Sequence, residues 1–239
     1  MSVPAFVPDE LQRLGLEAAV ETLPRQAQFL DRLLETNQQF NLTAIRDRDT
    51  AWRRHIIDSL TLLPFVEDMP AGASLVDVGS GGGMPGVPVA IARVDLRLTL
   101  LEATGKKARF LATTISALQI PNSRVVNERA ETAGQDPAHR QQYDAACCRA
   151  IGPMSQLLEY CMPLIRVGGR LLAMKGPKAE SELGDAVRAA ESLGAGELGV
   201  YDSYVDGFDR ESVIIVIEKA RPTPRKYPRK PGVPRQSPL

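Results

Sequence analysis

Seven consecutive residues, Asp77-Val78-Gly79-Ser80-Gly81-Gly82-Gly83, carry the first chemical signal in this 239-residue chain. A strand that runs into closely spaced glycines makes a tight turn, and its backbone amides approach a ligand without side-chain obstruction. A helix after such a turn directs its N-terminal amides into the same space. Glu102 stands 23 residues beyond Gly79, at the end of the next predicted strand. A carboxylate there accepts both hydrogen bonds of a ribose diol. These residues predict a site for a nucleoside-containing cofactor.

Two cofactors compete for it. Gly81-Gly82-Gly83-Met84-Pro85-Gly86 formally satisfies the dinucleotide pattern Gly-x-Gly-x-x-Gly, which alone is weakly specific. In a dinucleotide site the first glycine directly follows the strand. Here that residue is Gly79, and the third glycine would fall at Met84. Pro85 leaves one amide fewer for a pyrophosphate. S-adenosylmethionine has no phosphate, and the acidic Asp77 suits its ammonium group. S-adenosylmethionine is the expected cofactor, with a nicotinamide-dependent oxidoreductase as the alternative.

Other reactive side chains suggest less. Cys147 and Cys148 lack the neighbouring proline usual where a cysteine attacks a pyrimidine, and read as small buried strand residues. His55, Asp58 and Ser59 share one helical face, too close together to form a hydrolytic triad. They read as hydrogen-bonding neighbours of other elements. Lys175 follows an apolar strand, where it is either a phosphate contact or a solvated loop charge. Lys106, Lys107 and Arg109 open a helix and read as surface charges open to phosphate contact. Three cysteines and two histidines show neither a disulfide framework nor zinc spacing, so no metal is expected.

The elements that position these residues follow from periodicity. Ala27, Leu30 and Leu34 keep helical spacing, as do Trp52, Ile56, Leu60 and Leu63, so residues 8–70 predict helices. Residues 41–50 read as a polar connection. Strands are then predicted at 74–79, 97–102, 125–128, 143–149 and 170–175. Helices are predicted at 87–93, 105–118, 155–162 and 178–193. The closing strands, 201–205 and 212–218, have no room for a helix between them and must pair antiparallel. The expected fold is α/β: a mostly parallel sheet with helices on both faces and a closing antiparallel pair. It divides as an N-terminal helical extension (1–70), a cofactor-binding domain (71–220) and a tail (221–239).

That tail has six prolines, so it is expected to be extended, outside sheet and helix. Residues 220–239 hold six basic side chains and no acidic one, so a net charge of zero leaves the remainder six negative. The tail reads either as an arm that contacts RNA phosphates or as a disordered solubilising segment. No apolar run approaches the ~20 residues of a membrane helix, and the N-terminus lacks a signal peptide's pattern. A cytoplasmic, monomeric protein without membrane contact is expected.

The chain resembles the 16S ribosomal RNA guanine-N7 methyltransferase family, also called glucose-inhibited division protein B. The resemblance runs from about Asn37 to the C-terminus and rests on an ordered set of stretches. They are residues 41–45, 54–60, Asp77 to Pro88, Glu102 to Lys107, Arg129-Ala130-Glu131, Cys148-Arg149-Ala150, Met174-Lys175-Gly176 and 225–232. Position 102 is Glu where Asp is common, and both chelate a ribose diol.

The resemblance implies a class I methyltransferase fold of Rossmann-like type, with S-adenosylmethionine at the strand ends. It implies that Gly79 and Met84 line the methionine and sulfonium side. Glu102, Ala103 and Thr104 hold the ribose and border the adenine, and Ala130 and Glu131 meet the adenine edge. Arg149 sits beside the methyl group and the incoming base as cofactor contact and catalytic residue. The resemblance also suggests that the helix bearing His55, Asp58 and Ser59 forms a wall of the substrate mouth. The implied partner is 16S ribosomal RNA or the small ribosomal subunit. Guanine N7 carries an in-plane lone pair and needs no base. This agrees with Cys148-Arg149-Ala150-Ile151-Gly152-Pro153 standing where exocyclic-amine methylases have an Asn/Asp-Pro-Pro-aromatic turn. A non-catalytic RNA-binding or assembly factor on the same fold is the remaining alternative.

Overall fold

Side chains alternate between the two faces of a strand, and here the alternation sorts the chain into two apolar cores. Leu75, Ala145, Cys147 and Leu172 enter one; their neighbours Val76, Ala146, Cys148 and Leu171 enter the other. A computed structural model describes residues 2–203 and 212–239 of the chain.

Seven strands form one sheet: β1 (Ser74–Val78), β2 (Arg97–Leu101), β3 (Ser123–Val126), β4 (Tyr143–Arg149), β5 (Ile165–Lys175), β6 (Ala195–Asp202) and β7 (Val213–Lys219). Their order is β3-β2-β1-β4-β5-β7-β6. The first five run parallel, and β7 pairs antiparallel with both β5 and β6. The chain leaves β1 toward β2 and β3, then returns to add β4 on the other side. The carboxyl ends of β1 and β4 therefore flank a topological switch point, where open α/β sheets bind ligands.

One face is covered by the N-terminal helices. These are α1 (Phe6–Arg13), α2 (Leu23–Asn37) and α3 (Arg48–Ala51), which continues through a π-helical stretch (Trp52–Ile57) into α4 (Asp58–Leu60). Trp52, Ile56 and Leu60 are fully buried, as their helical spacing predicts. They share a core with α5 (Gly86–Ala92) and α6 (Gly105–Ala117). The other face is covered by α7 (Ala130–Ala133), α8 (Met154–Cys161) and α9 (Ala179–Leu193). Cys147 and Cys148 lie fully buried in opposite cores, and burial pushes the Cys147 thiol far up, so it stays protonated and inert.

Two expectations need correction. The sixth strand begins at Ala195, earlier than predicted, because its two glycines and its exposed Leu198, Val200 and Tyr201 mask the strand signal. Val205, the predicted end, lies outside the described residues.

The tail is not a free extended arm. It lies along α7 and α8 and ends in a short helix, α10 (Val233–Gln236). Pro234 fits there because the first helical turn needs no proline N–H. Arg140 donates to the carbonyls of Thr223, Pro224 and Tyr227, and Gln135 to that of Pro228. Fully buried Glu159 accepts from Arg229 N (2.8 Å), Nε (2.9 Å) and Nη2 (2.6 Å). Lys219, also fully buried, spends its three protons on Met162 O, Leu193 O and Thr223 Oγ1. No described helix is long and apolar enough to cross a membrane.

Candidate functional site

The glycine turn sits where β1 ends. Gly79 N and Ser80 N donate to Leu101 O at 2.8 and 3.2 Å, so the turn is tied to the end of β2. Gly79 and Gly83 have φ of +72° and +101°, a region that favours glycine. A Cβ at residue 79 would lie 2.6 Å from Ile151 Cγ2, so only glycine lets the loop after β4 close over the turn.

Asp77 does not face the ligand, as the ammonium argument expects. It is fully buried, its Oδ2 accepts from Gly86 N at 3.1 Å, and its Oδ1 has no partner. The carboxyl pins α5 beneath the turn. Val87 N donates to Gly83 O at 2.7 Å, and Pro85 and Pro88 have no N–H. The first amides of α5 are thus consumed by the protein or missing, contrary to the expectation that they reach the ligand. A pyrophosphate would find no free helix N-terminus, which is the physical objection to a dinucleotide.

Glu102 fits a ribose. Its Oε2 accepts from Gly81 N (2.8 Å) and its Oε1 from Thr104 N (2.7 Å). Asn127 holds the Glu102 carbonyl at 2.8 Å. An ionised carboxylate has about four lone-pair sites, so about two remain for a diol. Near Gly81 only its own turn comes within 4 Å of a Cβ, which leaves room for a ligand. Met84 packs under Gly82, with its Cε 3.2 Å from a Cβ placed there. Ala103 and Thr104 are exposed at the entrance of α6. Ala130 opens α7. The carboxylate of Glu131 accepts from Gly232 N of the tail at 2.8 Å, which leaves the backbone of this segment to border an adenine.

A glutamine at position 102 has one acceptor oxygen where two amides need one each. Glu102→Gln is expected to weaken S-adenosylmethionine binding about 30-fold, the loss of one charge-assisted hydrogen bond of about 2 kcal/mol. Titration calorimetry reads this directly, and wild-type affinity would remove Glu102 from the site.

Arg149 ends β4 and reaches across the crevice to the N-terminal helices. Its Nη1 donates to Arg54 O (2.6 Å) and Asp58 Oδ2 (2.7 Å), and its Nη2 lies 3.3 Å from His55 Nδ1. The same Nδ1 lies 3.1 Å from Arg54 O, and His55 Nε2 and Thr43 Oγ1 share a hydrogen bond at 2.8 Å. The sequence reading missed this chain because its members are far apart in sequence. Its only sign was that residues 54–60 and Arg149 both lie in stretches that carry the family resemblance.

Asp58, Arg149, Lys175 and Lys178 line a cavity of about 350 Å³. Lys175 is engaged, donating to Gly152 O (2.9 Å) and pairing with Glu182 (2.5 Å). Beside it Ala150 adopts φ +57°, a strained conformation for a non-glycine residue. Among the described residues no group of three or more His, Cys, Asp or Glu is arranged to hold a metal.

Two buried groups near the glycine turn and Arg149 titrate abnormally, with opposite signs. Burial, aided by the Arg149 charge, lowers His55 to about 4. The unfolded chain takes up that proton first, so on this account stability rises with pH from about 4 to 6.5. Burial raises Asp77 to about 7. Its contribution is full below 3.8 and is lost as pH rises through about 7. Asp77→Asn is expected to remove the second trend, so that stability climbs with pH between about 4 and 6.5 where the two otherwise oppose. Urea unfolding across that range tests it; an unchanged pH profile would count against a protonated Asp77.

Residues 23–205 match the family model described as rRNA small subunit methyltransferase G. The chain belongs to this family. A Moorella thermoacetica protein named ribosomal RNA small subunit methyltransferase G is 40% identical over 225 residues, covering 94% of this chain and 93% of its own length. The Chloroflexus aggregans protein of that name is 44% identical over 211 residues, covering 88% and 87%. Precorrin-6y C5,15-methyltransferase from Geobacter metallireducens superposes with a TM-score of 0.52 at 15% identity, over 68% of this chain and 87% of that one, a likeness of fold. Family and fold together make the chain an S-adenosylmethionine-dependent methyltransferase, and the oxidoreductase alternative falls away.

Proposed function

We propose that the chain methylates N7 of a guanine in 16S small-subunit ribosomal RNA. One observation carries the choice of acceptor atom: among the described residues, the cavity beside Arg149 offers cations but no free base. Asp58 is taken by Arg149 and Glu182 by Lys175. His55 titrates near 4 and is hydrogen-bonded through both ring nitrogens. An acceptor that must lose a proton would be poorly served, whereas guanine N7 has a free in-plane lone pair.

S-adenosylmethionine, when bound, supplies the electrophilic methyl group. Glu102 and Thr104 would hold its ribose, with Ala103 bordering the adenine. Gly79 and Met84 would border the methionine end, and the backbone at Ala130 and Glu131 the adenine edge. Arg149 would fix the guanine by donating to O6 or to a phosphate. The residues then need only orient the base and exclude water.

In this reading residues 1–70 wall the substrate side, residues 71–220 hold the cofactor, and residues 221–239 brace α7 and α8. The enzyme would act as a cytoplasmic monomer. The deciding experiment supplies labelled S-adenosylmethionine and unmodified small-subunit RNA, then maps the product by mass spectrometry. The expected result is a single 7-methylguanine. No incorporation into free RNA, assembly intermediates or whole subunits would favour a non-catalytic assembly factor.

A further inference from the structure

The connection between α2 and α3 passes directly over the glycine turn: a Cβ at Gly82 would lie 3.5 Å from Leu42 O. Two residues earlier, Phe40 borders two adjoining surface cavities of about 430 and 320 Å³. Asn41 and Arg46 help to line the first; Lys106, Arg109 and Phe110 help to line the second. Among the described residues no carboxylate lines either cavity, and none pairs with Arg46, Lys106 or Arg109, all three exposed. The rest of the chain outside the tail carries net negative charge, so this cationic groove stands out. Between Asn41 and Arg46, Thr43 hydrogen-bonds buried His55, which lies 3.3 Å from Arg149.

We propose that this groove holds the single-stranded RNA flanking the target guanine. One base stacks on the Phe40 ring, and Arg46, Lys106 and Arg109 neutralise successive phosphates. Aromatic faces accept any unpaired base, whereas the bases of a duplex are closed to them. The charge complementarity selects an anionic strand, and the Thr43–His55–Arg149 chain ties the segment that lines the groove to the residue that would fix the target guanine. The assignment rests on the reading that the acceptor is RNA.

Binding of unmodified small-subunit RNA, measured at several salt concentrations beside S-adenosylmethionine affinity, tests it. Phe40→Leu keeps an apolar side chain and removes the stacking face, and should weaken RNA binding roughly ten-fold. The triple variant Arg46→Gln, Lys106→Gln, Arg109→Gln should reduce the slope of log affinity against log salt by about two, at about 0.7 per lost contact. Cofactor affinity should stay at the wild-type value in both. RNA affinity and salt slope at wild-type values would overturn the groove while leaving methylation by the wild type intact. A parallel fall in cofactor affinity would overturn it too, since the groove would then act through the glycine turn. Normal binding to free RNA with failure only on intact subunits would assign the surface to a ribosomal protein. A wild type that neither binds nor methylates the RNA would overturn groove and function together.

Discussion

Arg149→Ala is expected to lower kcat/KM for RNA methylation about 10³-fold. Removing a partly buried, hydrogen-bonded charge from an interface costs about 2–5 kcal/mol, and about 4 kcal/mol corresponds to that factor. The guanidinium has five N–H donors, and three contacts (Arg54 O, Asp58, His55) face the N-terminal helices. About two donors remain for an incoming base or phosphate. Arg149→Lys should recover little, because one compact ammonium cannot reproduce the planar fork. A second readout separates this role from simple packing. Arg149 is one of the causes that depress His55, so in Arg149→Ala the imidazole should titrate closer to 6.5 by NMR. A wild-type rate in the alanine variant would sink the assignment. A lost rate with an unmoved His55 would sink the described contact.

Arg229→Met is expected to cost about 3–5 kcal/mol of stability. Glu159 is fully buried, and among the described residues Arg229 supplies its only counter-charge through two side-chain nitrogens, with the Arg229 backbone N–H as third donor. Removing one partner of a buried pair leaves an uncompensated charge, which accounts for the size of the loss. Against a typical total of about 5–15 kcal/mol this is a large fraction. Urea unfolding measures it, and adding Glu159→Gln should restore part of the loss, since no charge is then stranded. A free arm would behave differently: the substitution would change RNA affinity and leave the unfolding midpoint within about 0.5 kcal/mol of wild type.

The fold was legible wherever a short apolar strand met a strong stop. β4 was predicted at its observed limits, and the turn at Gly79 and the acid at Glu102 were found because their spacing is local. Direction was harder to read. Asp77 looks like a ligand group in sequence, yet its carboxyl turns inward to Gly86, which only the packing of α5 reveals. The contacts of Arg149 with His55 and of Arg229 with Glu159 span 94 and 70 residues. No periodicity reports pairs so distant. The tail misled for a related reason: prolines exclude long regular structure, but they do not prevent docking through carbonyl oxygens, and Arg140 alone gathers three from the tail.

That docking also sets an order of events during synthesis. The chain emerges N-terminus first, so β1 to β5, α7 and α8 leave the ribosome before residues 229–232 exist. Until then Glu159 lacks its cation and Glu131 lacks the Gly232 amide. Synthesis of residues 229–232 therefore supplies the counter-charge that lets α8 settle, and a chain released before Arg229 carries a stranded carboxylate under that helix. Such products would be marked for proteolysis by their instability, so that copies extending past Gly232 are the ones that persist.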